Sequence, residues 1–140
     1  MQVGEVIKWN NFKFPQFGGK PKSRWFICLG NSNVFIDPKL CYLISTTTTK
    51  RTGHPSLLLP QKTYPFFCQD CCVFFNEPIY SPLEQDISQN SDISSKGRLE
   101  ESDLRVLYSG LLRSSTHQKI VMKDIHSSFN LSGITGLRRP

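Results

Sequence analysis

The sequence predicts a mainly β protein with a small β-barrel core and two C-terminal helices, so that its class is α+β by the count of elements. Two observations lead to this prediction. Short apolar runs separated by Gly, Pro or Asn fill the chain up to about residue 80 without helical periodicity, as in antiparallel barrels and sandwiches. Apolar residues at helical spacing appear after residue 100.

Five predicted strands account for the first part of the chain. In the first of them Val6 would face one way and Ile7 and Trp9 the other, because successive side chains of a strand alternate. Residues 10–23 contain two prolines and two glycines and are predicted to be a loop. Residues 34–36 are either a small edge strand or part of a long loop. The strands are predicted at residues 4–9, 23–29, 40–45, 57–59 and 71–75.

The rest of the chain divides into a linker and two helices. Residues 85–97 are rich in Ser, Asn, Gln and Asp and are predicted to form a mobile linker. One helix follows, and a second is predicted at residues 117–129, with Ser115 or Thr116 as its N-cap and a frayed tail after it. We expect one domain at residues 1–114, with an additional helix and tail at 115–140. The apolar face of the first helix consists of Leu104, Leu107, Tyr108, Leu111 and Leu112.

The charge of the chain is concentrated in its first half. The 140 residues carry a formal net charge of +6. Residues 1–63 hold nine Lys or Arg against two acids, which gives +7, and residues 64–140 hold eight against nine, which gives −1. A basic half beside a nearly neutral half indicates either a surface that faces a polyanion or solubilising charge without a partner.

The composition points to the cytoplasm. The beginning of the sequence has neither the basic nor the apolar region of a signal peptide, and no apolar run reaches the roughly 20 residues of a membrane span. We therefore expect a cytoplasmic protein without a membrane partner. In that reducing compartment the five cysteines are expected to be free thiols, most of them buried.

Cysteines and histidines are the candidate residues for metal binding and proton transfer. Cys68, Cys71 and Cys72 include a C-x2-C pair, but a structural zinc site needs four ligands, so thiols that enter a core strand are the favoured interpretation. His54 lies among basic residues in a predicted loop and is a candidate proton carrier. No nucleophile elbow, Walker loop or H-E-x-x-H motif is present, and we expect no metal and no cofactor.

Arg24 and a hydroxyl-rich run are the remaining candidates for chemistry. Arg24 follows Gly19, Lys20 and Lys22 at a junction between loop and strand. Glycine lets the backbone approach a bulky anion, and a guanidinium binds phosphate oxygens bidentately. The run of residues 45–49, Ser-Thr-Thr-Thr-Thr, could donate hydrogen bonds to the same oxygens. The alternative is that Arg24 ends a strand and the threonines are β-formers entering a turn.

The order of four motifs resembles the MazF/PemK family of toxin endoribonucleases. That family opens with a G-[DE]-[VI] strand, here Gly4-Glu5-Val6-Ile7, and continues with an R-P-x-x-[VI]-[LV] strand, here Arg24-Trp25-Phe26-Ile27-Cys28-Leu29. An apolar strand then ends in Thr, here Tyr42-Leu43-Ile44-Ser45-Thr46, and a D-[SG]-V strand follows at residues 70–79. The resemblance covers about residues 3–114.

The resemblance implies a fold and an activity. Members of that family form SH3-like barrel dimers that cleave single-stranded RNA without metal and are inhibited by an antitoxin protein. Here Arg24 would stabilise the charged pentacovalent phosphate, and Ser45, or Thr46 if the register slips by one, would hydrogen-bond it. Glu77 would move the proton, and Gly19, Lys20, Lys22, Asn76 and His54 would contribute to RNA binding.

Three positions depart from the family pattern. The family proline is Trp25 here, Asn76 cannot carry a proton, and Ile79 cannot bind phosphate. The alternative interpretation is therefore a catalytically silent SH3-like barrel module that binds nucleic acid or a protein.

Overall fold

The computed structural model of the protein describes residues 1–13, 19–32, 37–48 and 52–140. Residues 34–36, predicted as an edge strand or loop, lie outside the described residues. The strands are β1 Glu5–Lys13, β2 Pro21–Asn31, β3 Cys41–Ser45, β4 Ser56–Leu59, β5 Cys71–Phe74, β6 Ile79–Tyr80 and β7 Ile93–Arg98. The helices are α1 Glu84–Ser88, α2 Glu101–Ser114 and α3 Lys119–Leu131.

The strands form two antiparallel sheets, which confirms the mainly β, α+β class. Five strands lie in the order β6-β3-β2-β1-β7, and β4 pairs with β5 in a second sheet. A bridge between Thr47, which follows β3, and Cys72 in β5 connects the two sheets. The strands do not close into a barrel, because closure requires each edge strand to pair with another, whereas β6 and β7 each have one neighbour among the described strands.

Both faces of the five-stranded sheet carry buried apolar side chains. Val6, Ile27 and Ile44 belong to the larger core, which lies beneath α2, α3 and the second sheet. Their sequence neighbours, among them Ile7 and Phe26, belong to a smaller core on the opposite face. The alternation predicted for Val6 and Ile7 is thus confirmed, and it places apolar side chains on both sides of the central strands.

The prediction of a mobile linker at residues 85–97 was wrong. This segment contains most of α1 and β7, and β7 pairs with β1 through Ile93 opposite Trp9 and Ser95 opposite Ile7. Backbone hydrogen bonds to a neighbouring strand do not need apolar side chains, so the polar composition concealed an edge strand. The predicted loop at 10–23 is also shorter, because β1 continues to Lys13 and β2 begins at Pro21.

The two C-terminal helices are present, but their ends differ from the prediction. α3 begins after Gln118 and has no side-chain cap, whereas Ser115 is the left-handed residue that ends α2. The tail is packed and not frayed, since Ile134 is buried and the Tyr108 hydroxyl donates to the Arg138 carbonyl at 2.6 Å. No helix in the described ranges has the length and apolarity needed to cross a membrane.

Helix α3 is fixed to the sheet by polar contacts as well as by apolar packing. The Ser128 hydroxyl accepts from the Asn31 amide at 3.1 Å and lies 3.2 Å from the Asn31 carbonyl, to which it donates. The Tyr42 hydroxyl donates to buried Asp124 at 2.6 Å, and burial together with this bond raises the pKa of Tyr42. Gly30 makes the close approach possible, because a Cβ there would lie 2.2 Å from the Ser128 Cβ.

Replacing Gly30 with Ala tests this close approach. Gly30 has a φ of +129°, so the substitution adds backbone strain to the collision with Ser128. We expect Gly30→Ala to lower the free energy of unfolding by about 2–4 kcal/mol, which combines overpacking with strain. Gly53→Ala is the matched control, because Gly53 also has a positive φ but has no atom near its Cβ position. Equal losses in urea unfolding of the two variants would contradict the packing argument.

Candidate functional site

An open cavity lies where β2 and the end of β3 meet. Its volume is about 340 Å³. It joins a basic strand to a run of hydroxyls, which is the pair of features that the sequence suggested for a phosphate site. The cavity, called the Arg24 cavity below, is lined by Lys22, Ser23, Arg24, Trp25, Thr46, Thr47 and Thr48.

Backbone hydrogen bonds place the threonines beside Arg24. Phe26 is opposite Ser45 in the ladder between β2 and β3, and the Thr46 amide donates to the Trp25 carbonyl at 3.0 Å. On the other side, the Thr47 amide donates to the Cys72 carbonyl at 2.9 Å, and the Cys72 amide donates back to Thr47 at 2.8 Å. The backbone that leaves β3 is therefore held between β2 and β5, and Thr46, Thr47 and Thr48 line the cavity.

The Arg24 cavity is electropositive. Lys22 and Arg24 are the charged side chains among the described residues that line it, and no acid accompanies them. The Lys8 ammonium lies 5.8 Å from the centre of the Trp25 ring and adds a third cation nearby. Trp25 itself packs against Phe67, with ring centres 5.3 Å apart, so it forms a fixed wall. Such a concave basic surface with hydroxyl donors suits a phosphate group.

The structure distinguishes between Ser45 and Thr46, the two alternatives that the sequence left open for the hydroxyl that binds phosphate. Ser45 is buried, does not line the cavity, and donates its hydroxyl to the Thr46 carbonyl at 3.2 Å. Thr46 lines the cavity but is 6% exposed. Thr47 is half-buried and Thr48 is exposed, so these two hydroxyls are more accessible. Sequence reasoning included them in the threonine run without singling them out, because the run gives no indication of where the strand ends.

Gly19 and Lys20 lie in the chain just before the cavity. Gly19 has a φ of +70°, a conformation that glycine adopts readily, and Lys20 is exposed. Neither residue lines the Arg24 cavity. The basic approach predicted from the sequence is thus made by Lys22 within the cavity and by Lys20 outside it.

The other predicted site residues are not part of the cavity lining. Glu77 is half-buried in the turn before β6, where its amide donates to the Phe74 carbonyl at 3.1 Å. Because Ile79 pairs with Ile44, Glu77 lies at the same end of the sheet as Thr46. Asn76 lines a separate cavity with Gly110 and Arg113 on α2.

His54 is likewise outside the cavity lining. Its side chain is exposed, and its ring packs edge-on against Phe74, with ring centres 6.2 Å apart. Another histidine, His117, lies just before α3, and its Nε2 is 2.6 Å from the Phe75 carbonyl oxygen. This contact gives His117 a structural role.

The cysteines behave as core residues, as predicted. All except Cys68 are buried free thiols, and burial raises the pKa of Cys71 to about 12, although a hydrogen bond with Thr46 lowers it. Cys28 and Cys41 lie on neighbouring strands with 3.9 Å between their sulfur atoms. Within residues 1–13, 19–32, 37–48 and 52–140, no group of three His, Cys, Asp or Glu side chains is placed to bind a metal ion.

Comparison with known proteins gives no family. No protein-family model matches the chain, and no curated protein matches it either. The likeness to the MazF/PemK family therefore stays a prediction that depends on the four motifs.

The cysteine environments predict the thiol reactivity of the folded protein. We expect an aromatic disulfide reagent at about pH 8 to modify Cys68 rapidly and the other four thiols only after unfolding, since reaction requires an accessible thiolate. The thiolate of Cys71 would be scarce in any case at that pH, because its pKa is about 12. Cys68→Ser should remove the fast phase of the absorbance change. A second fast thiol in this variant would contradict the buried placement.

Proposed function

We propose that the protein is an endoribonuclease that cleaves single-stranded RNA without metal, as a toxin-type protein would. The observation that carries the proposal is the convergence of Arg24, Lys22 and the hydroxyls of Thr46–Thr48 on one open cavity. The cations lie on β2 and the hydroxyls lie in the segment that follows β3, far away in sequence, yet together they provide the guanidinium, ammonium and hydroxyl donors that a phosphodiester requires.

In the proposed reaction the nucleophile belongs to the RNA. The ribose 2′-hydroxyl gives up its proton to a base, and its oxygen attacks the adjacent phosphorus and forms a new P–O bond. The bond from phosphorus to the 5′-oxygen breaks, and that oxygen takes up the proton. A cyclic phosphate and a free 5′-hydroxyl result. Arg24 would stabilise the negative charge that develops on the pentacovalent phosphate, and the threonine hydroxyls would donate to its oxygens. No protein nucleophile is required.

Proton transfer is the step for which the cavity supplies no obvious group. The described residues that line it include neither a carboxylate nor an imidazole. Glu77 is the proposed proton carrier, because it lies at the same end of the sheet as Thr46 and the turn between Phe74 and β6 fixes its backbone. The same observation favours a second candidate function, namely a module that binds single-stranded RNA or a protein at this surface without cleavage.

The proposed cellular role follows from the likeness to the toxin family. We propose a cytoplasmic homodimer that an antitoxin protein inhibits by laying an extended or helical peptide across the groove at Arg24. The basic lining of the cavity is compatible with an acidic antitoxin segment, since opposite charges favour such an encounter.

The role of Arg24 can be tested with a long single-stranded RNA in the presence of EDTA. We expect cleavage by the wild-type protein and a loss of about 10²–10³ in rate for Arg24→Ala, the range found when one preorganised donor to a developing charge is removed. Arg24→Lys should restore only part of the rate, because an ammonium lacks the planar pair of donors. Arg139→Ala removes the same charge from the exposed C-terminal segment and serves as the control. Cleavage that survives Arg24→Ala would refute the proposed site.

A second experiment separates cleavage from binding. If Glu77 carries the proton, Glu77→Gln should slow cleavage by about 10²-fold or more and leave RNA affinity within about twofold. Glu100→Gln is the matched control, because it removes the same charge from an exposed carboxylate that does not line the Arg24 cavity. RNA binding by the wild-type protein without any cleavage would favour the silent module over the enzyme.

A further inference from the structure

An aromatic cluster lies on the sheet immediately beside Arg24. Trp9 is directly opposite Arg24 in the ladder between β1 and β2, and Phe12 is opposite Lys22. Paired residues on neighbouring antiparallel strands share a face of the sheet, with Cβ atoms about 5 Å apart. The aromatic cluster consists of Trp9, Phe12, Phe26 and Tyr80. It therefore lies on the same face of the sheet as the cations of the Arg24 cavity.

The four rings hold one another in a fixed arrangement. Phe12 contacts Trp9 with ring centres 4.8 Å apart, Phe26 at 5.0 Å and Tyr80 at 5.2 Å, each in an edge-to-face geometry. Phe12 and Phe26 are buried, so they form the base of the cluster. Edge-to-face packing of this kind is favourable and restricts ring rotation. The outer rings are therefore preorganised.

Two of the rings reach solvent. Tyr80 is 41% exposed, and Trp9 is half-buried. Their centres are 6.2 Å apart with an angle of 56° between the planes, so they make a corner and not a parallel clamp. Within the described part of the chain, the Tyr80 hydroxyl and the Trp9 indole N–H have no hydrogen-bond partner. Neither atom is among the buried polar atoms that lack a partner. A flat ligand can stack on one ring and meet the polar edge of the other.

We propose that Tyr80 and Trp9 form a binding site for an unpaired nucleobase next to the phosphate held at Arg24. This proposal rests on the proposed function and names a further part of the same RNA site. The base would stack on the exposed Tyr80 ring, and Trp9 would form the side wall and offer its indole N–H to the base edge. Aromatic stacking of this kind accepts every base, since each has a π-face.

Charge favours a nucleic acid over a protein as the occupant. Trp9 is paired with Arg24 on β2, Phe12 is paired with Lys22, and exposed Lys13 ends β1. Two partly exposed rings offer little apolar area, whereas a stable protein interface buries about 800 Å² on each partner. A small aromatic corner bordered by cations fits one base attached to a phosphate chain.

Binding of two non-cleavable oligonucleotides to wild type and variants tests the proposal. The first probe is a single-stranded RNA of about 12 nucleotides with 2′-O-methyl riboses, which lacks the attacking hydroxyl, and the second is the abasic chain of the same length. We expect wild type to bind the first probe roughly tenfold more tightly than the second. Tyr80→Leu should bring this ratio close to one, whereas Tyr80→Phe should preserve it.

Two controls distinguish the stacking site from the phosphate site. Leu58→Ala changes another exposed apolar residue on the separate sheet and should leave the ratio unchanged. Arg24→Ala should weaken both probes alike, because it acts on the phosphate. Ultraviolet cross-linking of a 4-thiouridine probe to the wild-type protein, with peptide mapping, gives a readout that does not depend on a folded variant and should identify Tyr80 or Trp9.

The possible results separate the two proposals. A wild-type ratio near one, or a ratio that Tyr80→Leu does not change, overturns the stacking site. If Arg24→Ala still weakens binding in that case, the phosphate site stands. Failure of both probes to bind overturns both proposals. If Tyr80→Leu abolishes self-association in sedimentation while base selectivity persists, the cluster is a protein interface, and the stacking site is overturned.

Discussion

The backbone at Thr46 and Thr47 is the constraint on which the candidate site depends. One amide donates to Trp25 in the large sheet, and the next residue exchanges two hydrogen bonds with Cys72 in the small sheet. Among the described residues, this is the bridge that joins the segment after β3 to β5. Loss of such a bond leaves buried polar groups without partners, which costs about 1–3 kcal/mol for each group. The geometry that brings hydroxyls to Arg24 is therefore also the geometry that joins the two sheets.

The two faces of the large sheet have different roles. One face carries the larger core, in which α2, α3 and the small sheet cover the central strands, and Ser128 and Asp124 fix α3 in place. The opposite face carries the smaller core. Its centre is buried, and the partly exposed rings of Trp9 and Tyr80 lie at its margin on the side of Arg24. Because the covered face stabilises the sheet, the other face can leave basic and aromatic groups accessible to a ligand.

Much of the fold could be predicted from local pattern, and the errors have common physical causes. The alternation of Val6 and Ile7 and the apolar face of Leu104 and Leu107 depend on side chains that must be buried, so they are visible in the sequence. Strand β7 is held by backbone hydrogen bonds, which leave no apolar pattern to read. The tail is packed through buried Ile134 and the hydrogen bond from the Tyr108 hydroxyl, and these contacts are too few to form a periodic pattern. The predicted barrel was wrong, since the ladder ends at the two-residue strand β6 on one side and at β7 on the other among the described strands.

The sequence by itself determined the strand-rich class, the C-terminal helices, the buried cysteines and the nomination of Arg24, because residue type and periodicity are enough to show them. Tertiary structure alone decided that Thr46 and not Ser45 lines the cavity, and that Glu77 does not. It also brought Trp9 beside Arg24 and Tyr80 beside Trp9. These placements depend on strand register and on the point where β3 leaves the sheet, and a shift of one residue would turn each side chain to the other face.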